Sequence, residues 1–252
     1  MLTEFALEGH RVRLEPLTLE HASGLAAAAE GDRATYGLAW VPGGLDEAQR
    51  YVETALKGRD GGRQVPFAVR DLVSGQIAGS VRYLDLDVFP QPAPWPPVAP
   101  NPEPSDDQSP TVAEIGNTWY GPPWQRSHVN SATHFLLLQH AFEAWHCIRV
   151  TLKTDARNER SRTAIERIGG KFEGIRRAHL LAADGSVRDS AYFSITADEW
   201  PDVRIGLEKR LLRSHGPATE PALPKTRIPH RYPAGHIGRS AELSQSMGVR
   251  AG

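Results

Sequence analysis

The apolar positions repeat at helical or strand spacing along most of the chain. Residues 129–145 form the most periodic stretch, and residues 45–57 repeat apolar residues in the same way, which is typical of helices with one buried face. Thr18 is placed to cap an Ala-rich helix, and Gly169 is placed to stop another. The pattern predicts helices at residues 19–30, 45–57, 129–145, 158–168 and about 198–212.

Shorter stretches alternate between apolar and polar residues or are rich in β-branched residues, which is typical of strands. Two pairs of these stretches are joined by turn-forming sequences at residues 72–75 and 183–185, so each pair predicts a hairpin. The predicted order is strand, two helices, three strands, helix, strand, helix, two strands, helix. This order predicts a mixed α/β domain with a sheet flanked by helices. The strands are predicted at residues 12–17, 65–71, 76–86, 112–120, 148–154, 171–181 and 188–196.

Proline divides the chain, because it removes a backbone donor and interrupts regular ladders. Of the 20 prolines, nine lie between Pro90 and Pro110 and five between Pro217 and Pro233. We therefore predict one domain at residues 1–212 with a Pro-rich loop insertion at about 89–111. Residues 213–252 mix Pro, Gly, Ser, His and Arg with few large apolar groups, so we expect a disordered C-terminal tail.

Composition excludes several classes of protein. The 29 Lys and Arg nearly balance the 30 Asp and Glu, so nucleic acids and anionic membranes are not expected partners. No apolar run approaches the roughly 18 residues of a membrane span, and the N-terminus lacks a secretory pattern. Cys147 is the only cysteine, which excludes an intramolecular disulfide and a Cys-cluster zinc site. A single cysteine is typical of the reducing cytoplasm, where we therefore expect the protein. The spacing of His215, His230 and His236 matches no metal motif, so we expect no bound metal.

The first candidate for chemistry is the segment at residues 119–131, where a strand ends and a long helix begins. The free amides at the start of such a helix, together with its dipole, favour an anion such as phosphate. Arg126, Ser127 and Ser131 would add donors to the phosphate oxygens. The alternative is an ordinary strand-to-helix turn with a serine cap and an exposed arginine.

A second candidate segment covers residues 154–161. Asn158 and Ser161 are spaced to cap a helix, which would be a structural role alone. Alternatively, an Asn amide and a Ser hydroxyl on one helical turn could hold a ligand amide and a leaving thiolate.

Taken together, the motifs and the order of the elements resemble the GNAT superfamily of acyl-CoA N-acyltransferases. The RimJ/RimL-like branch is the closest match, and the resemblance covers about residues 7–212 apart from the Pro-rich loop. It implies the GNAT fold, with a central, mostly antiparallel twisted sheet flanked by helices, and a possible homodimer. The motifs that carry it are Glu114-Ile115-Gly116, Trp124-Gln125-Arg126, Asn158-Glu159-Arg160-Ser161, Ile168-Gly169-Gly170 and Phe172-Glu173-Gly174.

The resemblance implies acetyl-CoA as the co-substrate. In the family, a loop written Gln or Arg, two variable residues, Gly, one variable residue, then Gly or Ala wraps the pyrophosphate. Gln125 matches its first position, but His128 replaces the Gly and Asn130 replaces the Gly or Ala. The imidazole of His128 could crowd the phosphate, force a positive φ at a cost, or donate to the phosphate when protonated. The implied cofactor-binding residues are Trp119, Gln125, Arg126, Ser127, His128, Val129, Asn130, Ser131, Asn158 and Ser161.

The resemblance also implies catalytic roles within a direct transfer in a ternary complex. Ser161 matches the residue proposed to protonate the departing thiolate, and the strand that holds Trp119 would offer backbone donors to the thioester carbonyl. Glu114 and His179 are the candidate bases for the incoming amine. The alternatives are a surface ion pair for Glu114 and a solvated side chain for His179. We expect Cys147 to be a buried apolar residue, which disfavours a covalent acyl-cysteine.

The predicted function is therefore transfer of acetyl from acetyl-CoA to a primary amine, either a protein N-terminus or a small molecule. Two alternatives remain open at this point. One is a degenerate, non-catalytic GNAT-fold domain that binds CoA. The other is a protein-interaction module that uses Trp95 in its proline-rich setting and the basic tail.

Overall fold

The structure is a computed structural model that describes residues 4–89 and 109–215. Most of the predicted Pro-rich loop, residues 90–108, and residues 216–252 of the predicted tail lie outside the described residues. One eight-stranded sheet has the order β1-β2-β3-β4-β5-β6-β8-β7. All neighbouring strands are antiparallel except β5 and β6, which are parallel. The strands are β1 (Leu7–Gly9), β2 (Val12–Pro16), β3 (Gln64–Asp71), β4 (Ile77–Asp87), β5 (Val112–Tyr120), β6 (Arg149–Asp155), β7 (Lys171–Leu181) and β8 (Val187–Thr196).

Within the described ranges, five α-helices flank the sheet, and two apolar clusters pack them against it. Ala68 and Val69 are neighbours on β3 and therefore point to opposite faces. Val69 belongs to the cluster that packs α3 and α5, whereas Ala68 belongs to the cluster that packs α1 and α2. The helices are α1 (Ala22–Ala28), α2 (Leu45–Asp60), α3 (His128–Gln139), α4 (Glu159–Ile168) and α5 (Trp200–His215), with 3-10 turns at Leu19–His21, Arg33–Tyr36 and Pro122–Trp124.

The predicted fold class is confirmed. The bounds of β5 and β7 coincide with the predicted residues 112–120 and 171–181. The predicted helix at 19–30 begins as a 3-10 turn and ends at Ala28, and the one at 129–145 ends as a π-helical turn, His140–Ala144. In the described part of the chain, no helix has both the length and the apolar character needed to span a membrane.

The sequence pattern does not predict β1, which has only three residues. β1 pairs with β2 through a tight turn at His10 and Arg11, whose φ angles are 50° and 63°. Such turns are usually recognised by Asn-Gly or Gly-Gly, because positive φ is costly for other residues. A turn without glycine gave no sequence signal for this hairpin.

Candidate functional site

A cleft opens between the two parallel strands at the centre of the sheet. β5 and β6 pair from Val112 and Arg149 as far as Ile115 and Leu152. β5 then continues to Tyr120 and β6 to Asp155, and the described sheet has no ladder between these parts. The backbone groups of β5 that face β6 are therefore available to a ligand within the described sheet.

A bulge in β5 accompanies this separation. The register between β4 and β5 shifts between the pairs Arg82 with Gly116 and Ser80 with Trp119. Asn117 lies in this interval with φ 51°, a left-handed conformation that is uncommon outside glycine. A bulge inserts an extra residue and bends its strand, so it contributes to turning β5 away from β6.

Glu114 lies at the apex of the cleft. Its side chain is 3% exposed, and Lys153 Nζ lies 2.8 Å from its Oε2, while its Oε1 is buried and has no hydrogen-bond partner within residues 4–89 and 109–215. A Cβ added to Gly116 would lie 3.0 Å from Oε1, so the carboxylate borders the point where the strands separate. Burial raises the pKa of Glu114 to about 7, although Lys153 opposes this shift. The ion pair is thus present, but it is buried and not at the surface.

His179 lies on β7, away from Glu114. Its Nδ1 is 3.0 Å from Ser190 Oγ and its Nε2 is 3.4 Å from Tyr192 Oη. Desolvation, followed by the nearby Arg176, lowers the pKa of His179, which favours the neutral imidazole at pH 7. Because β6 and β8 separate β7 from β5, roughly 14 Å of sheet lies between the two strands at about 4.8 Å per strand. Of the two candidate bases, Glu114 lies on a strand of the cleft and His179 does not.

The start of α3 contains the serine-capped turn that was one of the two interpretations of residues 119–131. Ser127 caps the helix, because its Oγ accepts from Val129 N at 3.2 Å and donates to Trp124 O at 2.6 Å. Arg126 is exposed and has φ 59°. The capped turn is therefore present, and the exposed guanidinium stands beside the positive end of a 12-residue helix.

His128 does not have the positive φ that we considered for it, since Arg126 takes that conformation instead. The Nε2 atom of His128 lies 3.4 Å from Asp71 Oδ1, and the indole of Trp124 donates to Asp71 Oδ2 at 3.2 Å. Burial raises the pKa of Asp71, but hydrogen bonds from Ser74, Val73 and Trp124 outweigh it, so its pKa is lowered. The imidazole is thus directed at an ionised carboxylate at the end of β3.

The side chain of Gln125 links the two strands of the cleft. Its Nε2 donates to Tyr120 O at 3.0 Å, and its Oε1 accepts from Arg160 Nη2 at 2.6 Å. Arg160 also donates to Thr35 O at 2.8 Å. Gln125 follows β5 and Arg160 follows β6, so this contact spans the diverging ends of the two strands. Sequence reasoning did not assign a role to Arg160 or Thr35.

Asn158 caps α4, because its Oδ1 accepts from Ser161 N at 3.0 Å. Its predicted cap function is therefore confirmed. Ser161 is half-buried in the first turn of α4, which begins four residues after the end of β6. Because β5 and β6 are parallel, the first turn of α4 lies at the same end of the cleft as the start of α3.

Two other predicted residues are buried in the core. The indole of Trp119 is 4% exposed and makes edge contacts with the rings of Tyr36 and Tyr51, while its backbone lies on the part of β5 that extends beyond the ladder with β6. Cys147 is buried as predicted, its thiol donates to Pro110 O at 3.2 Å, and burial raises its pKa to about 12. Residues 4–89 and 109–215 contain no cluster of three or more His, Cys, Asp or Glu suited to a metal ion.

The comparisons with known proteins agree with this geometry. The acetyltransferase (GNAT) domain family matches residues 11–171. A GCN5-related N-acetyltransferase from Brucella melitensis is 29% identical, with a TM-score of 0.65 over 83% of this chain and 86% of that one. A protein from T. thermophilus assigned as an acetyltransferase is 31% identical, with a TM-score of 0.63 over 84% of this chain and 98% of that one.

RimJ from Mycobacterium smegmatis, solved in complex with CoA-disulfide, shares the fold at 19% identity, with a TM-score of 0.61 over 82% of this chain and 93% of that one. No curated protein shows significant similarity to the chain. The family match covers more than half of the 252 residues, and the order of the elements along the chain is as predicted apart from the additional β1. The chain therefore belongs to the GNAT acetyltransferase family.

Proposed function

We propose that this GNAT domain transfers acetyl from acetyl-CoA directly to a primary amine, with Glu114 as the general base. The observation that carries the proposal is the buried carboxylate at the apex of the cleft between β5 and β6, with a pKa raised to about 7. A general base is most effective when its pKa lies near the working pH. Glu114 is ionised often enough at neutral pH to accept a proton, yet basic enough to remove one.

In the proposed reaction, the amine nitrogen attacks the thioester carbonyl carbon while Glu114 accepts the proton that the nitrogen loses. The carbon–sulfur bond then breaks, and the thiolate takes a proton through the Ser161 hydroxyl, which is reprotonated by solvent as Glu114 releases its own proton to solvent, so the products are the N-acetyl amine and CoA thiol. Backbone N–H groups of β5 beyond Ile115 stabilise the carbonyl oxygen as it gains charge. Holding both substrates in one cleft supplies much of the remaining acceleration.

The chain has groups suited to the CoA portion of the donor. The first turn of α3 and the exposed Arg126 offer amides, dipole and positive charge for the pyrophosphate. The inward direction of His128 supports retention of this site, because its imidazole contacts Asp71. Asn158 and Ser161, on the first turn of α4, face the same end of the cleft as candidate contacts for the pantetheine arm.

The test is release of CoA from acetyl-CoA by the purified chain over a broad amine panel, together with calorimetry of acetyl-CoA binding. We expect micromolar binding, amine-dependent CoA release, and loss of release in Glu114→Gln with binding retained. The proposal is wrong if no amine raises CoA release above background and Ser161→Ala has no effect.

The second candidate is a degenerate, non-catalytic GNAT domain whose CoA site is closed. The Gln125–Arg160 contact across the diverging strands and the loss of the loop glycine at His128 favour it. Acetyl-CoA binding that appears only in His128→Gly would support this candidate. The interaction module built on Trp95 and the tail concerns residues outside the described ranges, and the homodimer and the cytoplasmic location stay predictions.

A further inference from the structure

Four buried polar atoms beside the cleft have no hydrogen-bond partner among the described residues. They belong to Glu114 (Oε1), Arg82 (Nε), Trp119 (Nε1) and Tyr51 (Oη). The large majority of buried side-chain polar atoms in proteins are paired, and each unpaired one calls for an explanation, such as a catalytic role or a bound group. We call these four side chains the unpaired cluster.

The side chains of the unpaired cluster share the side of the sheet that α1 and α2 cover. Arg82 on β4 is paired with Gly116 on β5, and Glu114 precedes Gly116 by two residues on the same face. Arg82 and Glu114 are thus diagonal neighbours, about 7–8 Å apart at the backbone, beside a position without a side chain. The Arg82 guanidinium lies 4.5 Å from the ring centre of Tyr51, whose centre is 6.3 Å from that of Trp119.

Arg82 is a buried cation that has no anionic partner among the described residues. It is 5% exposed, and its Nη1 donates to Gln64 Oε1 at 3.2 Å. In the part of the chain that the structure describes, no carboxylate forms an ion pair with it. A buried guanidinium is normally paired, because its desolvation is costly when nothing compensates its charge. The neighbouring indole and phenol add two donors and no negative charge.

We propose that the acceptor is an amine that also carries a carboxylate, as an α-amino acid does. Its amine lies against Oε1 of Glu114, and its carboxylate accepts hydrogen bonds from Arg82, Trp119 and Tyr51. This inference rests on the proposed function, because it names the substrate class of the same site. A peptide N-terminus presents a neutral amide at the corresponding position and leaves Arg82 without an anion.

The activity test compares matched acceptors, each α-amino acid with its own carboxamide, by CoA release from the full chain with acetyl-CoA. A site built for a polar group rejects analogues that lack it by about 10⁴-fold when the group is fully buried. We expect kcat/KM to favour the acids by at least about 100-fold. In Arg82→Met the preference is expected to vanish, because the acids lose rate and the amides do not. The exposed Arg177 supplies the control, and Arg177→Met is expected to keep the wild-type preference.

A binding test separates this inference from the proposed function. Calorimetry in the presence of CoA measures amino acids and their carboxamides against the wild type and Arg82→Met, without any transfer. Tighter binding of the acids, abolished in Arg82→Met, supports the acceptor class even if no acetyl transfer is found. Equal binding of acids and amides, or a preference that Arg82→Met retains, overturns it even if the enzyme acetylates other amines. The melting temperature of Arg82→Met shows whether the variant is folded, and Arg82→Lys, which keeps the charge, is expected to restore part of the preference.

Discussion

Glu15 and Glu114 each pair with a basic side chain, yet their pKa values shift in opposite directions. Arg70 donates to both oxygens of Glu15, at 2.7 and 2.9 Å, and His21 adds a contact at 3.0 Å. These hydrogen bonds, that of Arg70 first, lower the pKa of Glu15 to about 2 against the effect of burial. Lys153 contacts one oxygen of Glu114 and leaves the other unpaired in the core, so burial raises its pKa to about 7.

The difference shows that an ion pair alone does not define the role of a carboxylate. The side chain of Glu15 is 18% exposed and fully hydrogen-bonded, so it is held in its charged form and ties β2 to β3. Glu114 is more deeply buried and less completely bonded, which keeps its proton exchangeable near neutral pH. The first arrangement stabilises the fold, whereas the second can perform acid–base chemistry.

The largest expected effect separates the two carboxylates by activity. Glu114→Gln should lower kcat by about 10²- to 10⁴-fold, since it removes the general base. Glu15→Gln removes a charged oxygen of similar shape outside the cleft, and we expect its kcat to stay within a few-fold of the wild type. Steady-state CoA release at pH 7.5 measures both variants. Equal losses in the two variants would show that Glu114 contributes only to stability.

The second prediction concerns the pH profile of kcat/KM. A base with a pKa of about 7 gives a rate that rises with pH and levels off above 7. Lys153 lowers the pKa of Glu114, so Lys153→Met should raise that pKa. The rising part of the kcat/KM profile should then move to higher pH by about one unit, and kcat/KM at pH 6.5 should fall by about tenfold. Lys171→Met removes the exposed pair with Glu199 and is the matched control. An unchanged limb in Lys153→Met would contradict the assignment of this pKa to Glu114.

The contrast between these two carboxylates could be predicted only in part from the sequence. The periodicity gave β5 and β7 their bounds, and the family resemblance selected Glu114 as a candidate base. The sequence did not reveal that Lys153, 39 positions away, lies against Glu114, because strand pairing determines that contact. Arg82 and Tyr51 lie in a predicted strand and a predicted helix, and no motif marks either residue as functional. Only the packing shows that Arg82 Nε and Tyr51 Oη are buried without a hydrogen-bond partner among the described residues.

The Gln125–Arg160 contact and the direction of His128 illustrate the same limit. Both depend on side-chain conformations in a loop and on segments distant in sequence, such as Thr35 and Asp71. By contrast, the caps at Ser127 and Asn158 are local interactions and follow from residue type and position.

The third prediction uses the opposite signs of the two shifts. The pKa of Glu15 falls on folding, so its contribution is present above pH 4.5 and is lost as the pH falls toward 2. The pKa of Glu114 rises on folding, so its unfavourable contribution is absent below pH 4.5 and develops as the pH rises through 7. The free energy of unfolding of Glu114→Gln, measured relative to that of the wild type, should therefore be about 2 kcal/mol higher at pH 8 than at pH 5.

Denaturant unfolding at several pH values measures this difference, with Glu15→Gln as the matched variant. At pH 7, Glu15→Gln should be less stable than the wild type by about 2 kcal/mol, and its deficit should shrink below pH 4.5. If the free energy of unfolding changes with pH in both variants as it does in the wild type, the two assigned pKa shifts are wrong.

The smallest expected effect comes from His21, which makes the contacts of Glu15 more complete. Its Nε2 lies 3.0 Å from Glu15 Oε2, while its Nδ1 accepts from Thr18 N at 3.1 Å and so fixes the proton on Nε2. His21→Ala removes one of three contacts to the carboxylate and part of the cap before α1, and should cost about 1 kcal/mol at pH 7. The matched variant Thr18→Ala keeps the contact to Glu15 and loses only the hydroxyl. If His21 acts on Glu15, the acid unfolding midpoint rises in His21→Ala more than in Thr18→Ala, because the pKa of Glu15 is then less depressed. Equal midpoints would assign the whole effect to the helix cap and would leave Arg70 as the sole source of the contrast with Glu114.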